Sequence, residues 1–266
     1  MVKEWKTLCP QVNDIARKVG LFIAQQSQSF DRKATEYKGL NNLVSYVDRE
    51  AENRLVEALS KLLPEAGFIT EENETTHQIS TKQLHWIIDP LDGTTNFIHG
   101  LPVFAISIGL MHENQMVLGV VYEVNRRECF YATLGGGAFC NAVKIQVSPI
   151  LQLKEALLAT GFPYHWFDKN EIYLKILNEL MQRSHGLRRM GSAAVDLAYV
   201  ACGRFEGFFE FNLSPWDVAA GSLLVQEAGG KVGTFGKAQD FIFGKEIIAA
   251  GAIFEEMQEI IQKLWH

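Results

Sequence analysis

An apolar strand that runs straight into two carboxylates is the feature that most limits how this chain can fold. Trp86-Ile87-Ile88 leads into Asp89-Pro90-Leu91-Asp92-Gly93-Thr94-Thr95. The apolar part must be buried, so the acids arrive at the strand end with little water to serve them. Leu84–Ile88 reads as a short buried strand that stops at Asp89-Pro90. Proline restrains its own backbone and that of Asp89, so both acids leave the strand end in a defined geometry. Oxygen ligands of this kind suit a hard cation such as Mg²⁺, which takes one or two carboxylates plus substrate phosphate. Gly93 permits close backbone approach, and Gly93–Thr95 is placed to open a helix whose free N–H groups receive an anion. An aspartate cap with a proline turn is the plain alternative. The adjoining Gly-Thr-Thr favours the metal and phosphate reading.

Around this stretch the periodicities give a layered α/β chain. Trp5, Leu8, Val12, Ile15, Val19 and Phe22 share one helix face, with a kink or restart expected at Pro10. Ser45 with Asp48 forms a capping box for a second helix, whose apolar face is Val47, Ala51, Leu55, Ala58, Leu59 and Leu62. Residues 104–111, 116–124 and 129–133 form an antiparallel meander with polar turns between them. Beyond residue 153, strands and helices alternate: strands at 156–160, 205–211, 231–234 and 247–250, helices at 171–182, 192–201, 216–228 and 253–264. Two close-packed halves are expected, 1–150 and 151–266, tight enough to count as one domain.

The same residues exclude much chemistry. Four scattered cysteines without a C-x-x-C pair argue against structural zinc and for a reduced, cytoplasmic setting. The seven histidines show no metal-binding spacing. No nucleophile elbow, P-loop or dinucleotide fingerprint occurs, and Gly135-Gly136-Gly137 reads as a flexible turn. Met1–Lys6 carries charge without an apolar core, so no secretory signal is expected, and no apolar run is long enough for a membrane span. A net charge of −6 and the lack of a basic run argue against intrinsic nucleic-acid binding.

Two further acidic segments stand out. Glu71-Glu72 follows a short apolar run, and Trp216-Asp217-Val218-Ala219-Ala220-Gly221, with Glu227-Ala228-Gly229-Gly230, puts Asp217 on the first turn of a small-residue helix. Each has an ordinary explanation, solvated loop acids for the first and a helix cap for the second. Taken together with Asp89–Thr95, however, they resemble the motifs of the inositol monophosphatase family, in order and spacing along nearly the whole chain.

The resemblance implies a five-layer αβαβα sandwich of the sugar-phosphatase type, Mg²⁺-dependent and lithium-sensitive phosphomonoesterase activity with two to three ions, and a homodimer. It places Glu71, Asp89 and the Leu91 carbonyl on a first Mg²⁺, Asp89, Asp92 and Asp217 on a second, and Glu71 on a third. By the same resemblance, Asp48 would support a catalytic Thr94, which with Glu71 would orient and deprotonate the attacking water. The resemblance also implies that Glu71, Leu91, Asp92, Gly93 and Thr94 surround the phosphate, and that Gly191, Ser192, Ala193, Glu210 and Asp217 contact the polyol. The chain departs from the family pattern at Asn42, Thr70 and Ser192, where aspartate, glycine and threonine are usual.

The implied substrate is a small polyol phosphate, inositol 1-phosphate first. Fructose 1,6-bisphosphate, histidinol phosphate and 3′-phosphoadenosine 5′-phosphate stand as alternatives. Thr95-Asn96 replaces the Lys-Glu usual in the last of these enzymes. Arg188 and Arg189 could hold a second phosphate, although solvated loop charges are the more ordinary reading. Some relatives act in RNA-linked regulation, so a protein-binding role with incidental catalysis stands beside the enzyme. The full set of acidic ligands favours the enzyme. With Asp48, Glu71, Asp89, Asp92, Glu210 and Asp217 set aside, acids and bases number 25 each, so the −6 reads as one cleft prepared for cations.

Overall fold

The computed structural model describes residues 2–31, 35–39, 42–72, 83–162, 168–236 and 239–265. Helices α1 (Val2–Ser27) and α2 (Tyr46–Leu62) precede a seven-stranded sheet, with a small β1–β2 pair (Glu36–Gly39, Asn42–Val44) between them. Helix α1 runs through Pro10 without a break. Pro10 faces solvent, where water can serve the carbonyl that proline leaves without a donor. The side chain of Asn42 lies outside the described residues. The sheet takes β3 (Gly67–Thr70), β4 (Leu84–Asp92), β5 (Ala105–His112), β6 (Gln115–Glu123), β7 (Glu128–Thr133), β8 (Gly137–Cys140) and β9 (Val143–Lys144) in chain order. Only the β3–β4 pairing is parallel, and the expected meander follows from β4 onward.

Strand β4 does not stop at Asp89-Pro90 as its apolar pattern suggested. It continues to Asp92 through an irregularity in its pairing with β5, where Asp89 lies opposite Ser107 and Asp92 opposite Ala105. Pro90 and Leu91 thus face the single residue Ile106, a bulge of one extra residue. Proline, which has no N–H for the ladder, is well suited to that place. Acids three positions apart would point to opposite faces of a regular strand. The extra residue restores them to the same side.

The second sheet has the order β11-β10-β12-β14-β13, from β10 (Leu157–Thr160), β11 (Gly186–Arg188), β12 (Gly207–Phe211), β13 (Lys231–Gly233) and β14 (Glu246–Ala250). Helices α5 (Ala193–Ala201) and α6 (Pro215–Glu227) lie between the sheets, and α4 (Asn170–Arg183) and α7 (Phe254–Trp265) cover the outer face. With α1 and α2 on the far side of the first sheet, the layers run αβαβα, as expected. Three apolar clusters fill the interfaces: Val12, Leu55 and Trp86 under α1 and α2; Phe130, Leu197 and Leu224 between the sheets; and Ile176, Phe209 and Met257 under α4 and α7.

Helix α6 is rich in small residues because it lies very close to the first sheet. Gly109 and Gly119 are paired across β5 and β6. A Cβ on Gly119 would come within 2.7 Å of the Ala220 carbonyl oxygen, and one on Gly109 within 3.2 Å of the Ala219 Cβ. That approach brings the start of α6, and Asp217 with it, down to the end of β4. The hydroxyl of Ser107 fixes the approach by donating to the Trp216 carbonyl at 2.9 Å. None of the described helices is long and apolar enough to cross a membrane.

Candidate active site

Four chain segments meet at the end of β4. Carboxylate oxygens of Asp89, Asp92 and Asp217 lie within 4.8 Å of one another. Asp89 is 2% exposed, and one of its oxygens accepts the Leu91 amide at 2.9 Å. Burial, and then the negative charges of Glu71, Asp92 and Asp217, hold its carboxyl well above the ordinary range. Asp217 is raised chiefly by burial, then by Asp92, against the opposing effect of the Ser214 amide. Asp92 is pushed up to about 6 by burial, although the Ser192 hydroxyl and the amides at the start of α5 favour its charged form. One Asp92 oxygen accepts both the Ser192 hydroxyl (2.6 Å) and the Ala194 amide (2.7 Å). An acid on the first sheet thereby caps a helix of the second half.

Such a set of like charges is stable only if protons or a cation neutralise it. Every donor is a hard carboxylate oxygen, and no histidine or thiol is among them, which fits Mg²⁺-type ions and not zinc. Glu71, just past the end of β3, adds its negative charge to that acting on Asp89. Its backbone is fixed from α2, where the buried Glu52 accepts the Glu72 amide at 2.9 Å.

Asp48 sits in the same place as a different kind of acid. Its Oδ2 accepts the Ser45 amide (2.8 Å) and the Ser45 hydroxyl (2.6 Å), and its Oδ1 accepts the Thr94 hydroxyl (2.8 Å). Burial raises its carboxyl, and those hydrogen bonds oppose the rise. Thr94 also lies 3.0 Å from the Leu91 carbonyl. Thr94 opens the short helix α3 (Thr94–His99) behind Gly93, whose φ of 98° is the left-handed conformation glycine tolerates. Space demands glycine there too, since a Cβ would stand 2.9 Å from the Val103 oxygen and 3.3 Å from the Gly191 oxygen.

The residues expected on the polyol side lie along the start of α5 and the end of β12. Gly191, at φ 87°, packs against Asn96, whose amide nitrogen donates to the carbonyls of Val103 (2.7 Å) and Met190 (2.8 Å). Ser192 caps α5 ahead of Ala193. Glu210 is pushed up to about 8 by burial, against the favourable charge of Arg189 and with the unfavourable charge of Asp92. Arg189 is exposed, yet its charge also reaches Asp92 and Asp196, so it belongs to the rim of the site. Arg188 is exposed and donates to the Leu187 carbonyl at 3.0 Å.

Asp196 was not singled out in the sequence. It is 1% exposed, its Oδ1 accepts no hydrogen bond, and burial with the charges of Glu210 and Asp92 holds it well above the ordinary range. A lone acid in the otherwise almost wholly apolar Ala193–Ala201 was the available signal. The Gly135–Gly137 turn does cradle an anion, but the anion is the protein's own: Glu227 accepts the amides of Gly135 and Gly137, both at 2.7 Å.

Buried carboxylates gathered at the end of a strand, beside a hydroxyl held by a further acid, define the site of a metal-dependent phosphomonoesterase on an αβαβα scaffold. The sequence pattern of the inositol monophosphatase family matches residues 5–266, and the chain belongs to that family. The Nus factor SuhB of Escherichia coli is 43% identical over 237 residues, covering 88% of this chain and 87% of that protein. The crystal structure of the extragenic suppressor protein suhB from Bartonella henselae superposes with a TM-score of 0.87 at 39% identity, over 94% of this chain and 96% of that one. The inositol monophosphatase of Anabaena superposes with a TM-score of 0.84 at 32% identity, over 98% and 97%.

Proposed function

We propose that the chain hydrolyses a small polyol phosphate monoester with Mg²⁺, with inositol 1-phosphate as the preferred substrate. The observation that carries this reading is the meeting of Asp89, Asp92 and Asp217 within 4.8 Å, beside a Thr94 hydroxyl bonded to Asp48. Glu71, Asp89 and the Leu91 carbonyl would hold one ion, Asp89, Asp92 and Asp217 a second, and Glu71 a third. Bound there, Mg²⁺ supplies the positive charge that acidifies water and offsets charge on the leaving oxygen.

The chain's own groups supply position and proton acceptance. Asp48 draws on the Thr94 proton, which leaves the Thr94 oxygen free to accept a proton from the attacking water, with Glu71 as the second acceptor. The Ser45 bonds keep Asp48 from turning away. The amides of Gly93 and Thr94 receive phosphoryl oxygens, while Gly191, Ser192, Ala193 and Glu210 meet the hydroxyls of the leaving group. The test is phosphate release from inositol 1-phosphate, fructose 1,6-bisphosphate, 3′-phosphoadenosine 5′-phosphate and histidinol phosphate. The expected result is the highest kcat/KM for inositol 1-phosphate, lost on chelation. No release from any of the four by metal-loaded protein overturns the reading.

Homodimer formation in the cytoplasm belongs to the same reading. Leu174 and Met181, on one face of α4, are 54% and 55% exposed, which supports association through that face. Light scattering at the mass of a single chain would count against it. The Nus factor name of the Escherichia coli relative supports a second role with transcription partners. If that role is independent of catalysis, an Asp89→Asn variant keeps the association while losing turnover, and parallel loss of both ties the two together.

A further inference from the structure

Strands β10 and β12 run parallel, with Thr160 level with Phe209, so the next residue on each is Gly161 and Glu210. A Cβ built on Gly161 would lie 2.0 Å from Glu210 Oε1 and 2.1 Å from both Cδ and Oε2. The carboxylate of Glu210 therefore fills the space that any side chain at 161 would take. Gly161 is not among the residues with positive φ, so its backbone does not call for glycine. Room for Glu210 does.

The peptide under that carboxylate is held from α4 and from its own strand. The Tyr173 hydroxyl donates to the Gly161 carbonyl at 2.7 Å, and the Thr160 hydroxyl donates to the Phe209 carbonyl at 2.8 Å. Tyr173 is 2% and Thr160 1% exposed. The Tyr173 ring stacks on Phe235 with 8° between planes, so the hydroxyl has little freedom to leave. The charge of Glu210 acts on Tyr173, which places the two side chains close together.

We propose that Gly161, fixed by Tyr173 and Thr160, is a specificity-determining position that seats the Glu210 carboxylate where it meets the hydroxyls of the leaving group. The inference rests on the phosphatase reading above. Gly161 and Tyr173 act only through Glu210, so they are positioning residues. Their effect falls on recognition of the alcohol and not on phosphoryl chemistry.

The experiment compares inositol 1-phosphate with p-nitrophenyl phosphate, whose leaving group offers Glu210 no hydroxyls, each in the Mg²⁺-loaded protein. Gly161→Ala displaces the end of a flexible side chain without backbone strain, so it is expected to fold. Its KM for inositol 1-phosphate should rise about tenfold, the upper end of what one net hydrogen bond is worth, with a much smaller change for the aryl ester. Tyr173→Phe should act in the same direction by about threefold, the worth of one net hydrogen bond. Gly161→Ala added to Glu210→Ala should produce little further change, because both act through one carboxylate.

Equal losses on both substrates, or no change on either, overturn the inference while leaving the phosphatase reading intact. Turnover of the aryl ester alone by the wild type also overturns it, since Glu210 would then meet no polyol. No turnover of either ester by the wild type removes the phosphatase reading and the seat together.

Discussion

Helices α2 and α6 start in the same way and put the result to different uses. Each begins with serine followed three residues later by aspartate, and in each the aspartate accepts the backbone amide of that serine: Ser45 to Asp48 at 2.8 Å, Ser214 to Asp217 at 2.6 Å. A cap of this kind occupies one carboxylate oxygen. At α2 the other oxygen is taken by the Thr94 hydroxyl, so Asp48 is fully occupied and orients its neighbour. At α6 an oxygen of Asp217 faces Asp89 and Asp92 instead. A capping aspartate is thus half structural, and what else its carboxylate meets decides whether it is a support or a ligand.

Amide substitution should separate the two most sharply. Asp217→Asn keeps an oxygen for the cap but removes charge from the cluster, and should lower Mg²⁺-dependent kcat/KM by about 10³-fold or more. Asp48→Asn, which only weakens support for Thr94, should lower it by about 10- to 100-fold. Steady-state kinetics at saturating Mg²⁺ tests the pair, and equal losses would erase the distinction.

The next largest contrast lies in pH dependence. Asp92 is raised to about 6 and Glu210 to about 8, so the metal-free folded state keeps protons that the unfolded chain has already released. Stability from these groups is fully present below their unfolded values of 3.8 and 4.5 and is lost as pH rises from there through the folded values. The Tm of chelator-treated protein should therefore fall from pH ~4 to ~8 and level off above that. Mg²⁺, or the Asp217→Asn substitution, should flatten that fall, and a Tm indifferent to both would argue against the cluster as a cation site.

The smallest contrast is between the capping serines. The Ser45 hydroxyl bonds both Asp48 and the Val47 amide, so Ser45→Ala should cost about 1 kcal/mol in denaturant unfolding. Ser214 shares the reciprocal box with Asp217 but has no counterpart of the bond from the Val47 amide, so Ser214→Ala should cost less, about 0.5 kcal/mol.

These two helix starts also mark what could be read from sequence. The Ser45–Asp48 box was legible because its chemistry is local. The strand leading into Asp89 was legible for the same reason, through its apolar residues and proline. The bulge at Pro90-Leu91 was not, because it is a count of residues against β5, a strand more than a dozen positions away. Nor was the pairing of Gly161 with Glu210, which depends on the register of parallel strands that share no turn. Asp196 was visible only as an acid out of place in an apolar helix, and its neighbours come from two other segments. Arg189 reads from sequence as a solvated loop charge because two of the acids it acts on, Asp92 and Glu210, lie on other strands.

The bonds that assemble the site join residues far apart in synthesis: Asn96 to Met190, Asp92 to Ser192 and Ser107 to Trp216. While the first half emerges, Asp89 and Asp92 exist without Asp217, without the α5 amides and without the far wall of the cleft. Contacts of such separation are costly in loop entropy and form late in folding. A nascent chain therefore carries acids but no working cleft, and catalytic competence arrives only with complete folding. Recovery of turnover during refolding is, in this protein, a clock for the last long-range contacts to close.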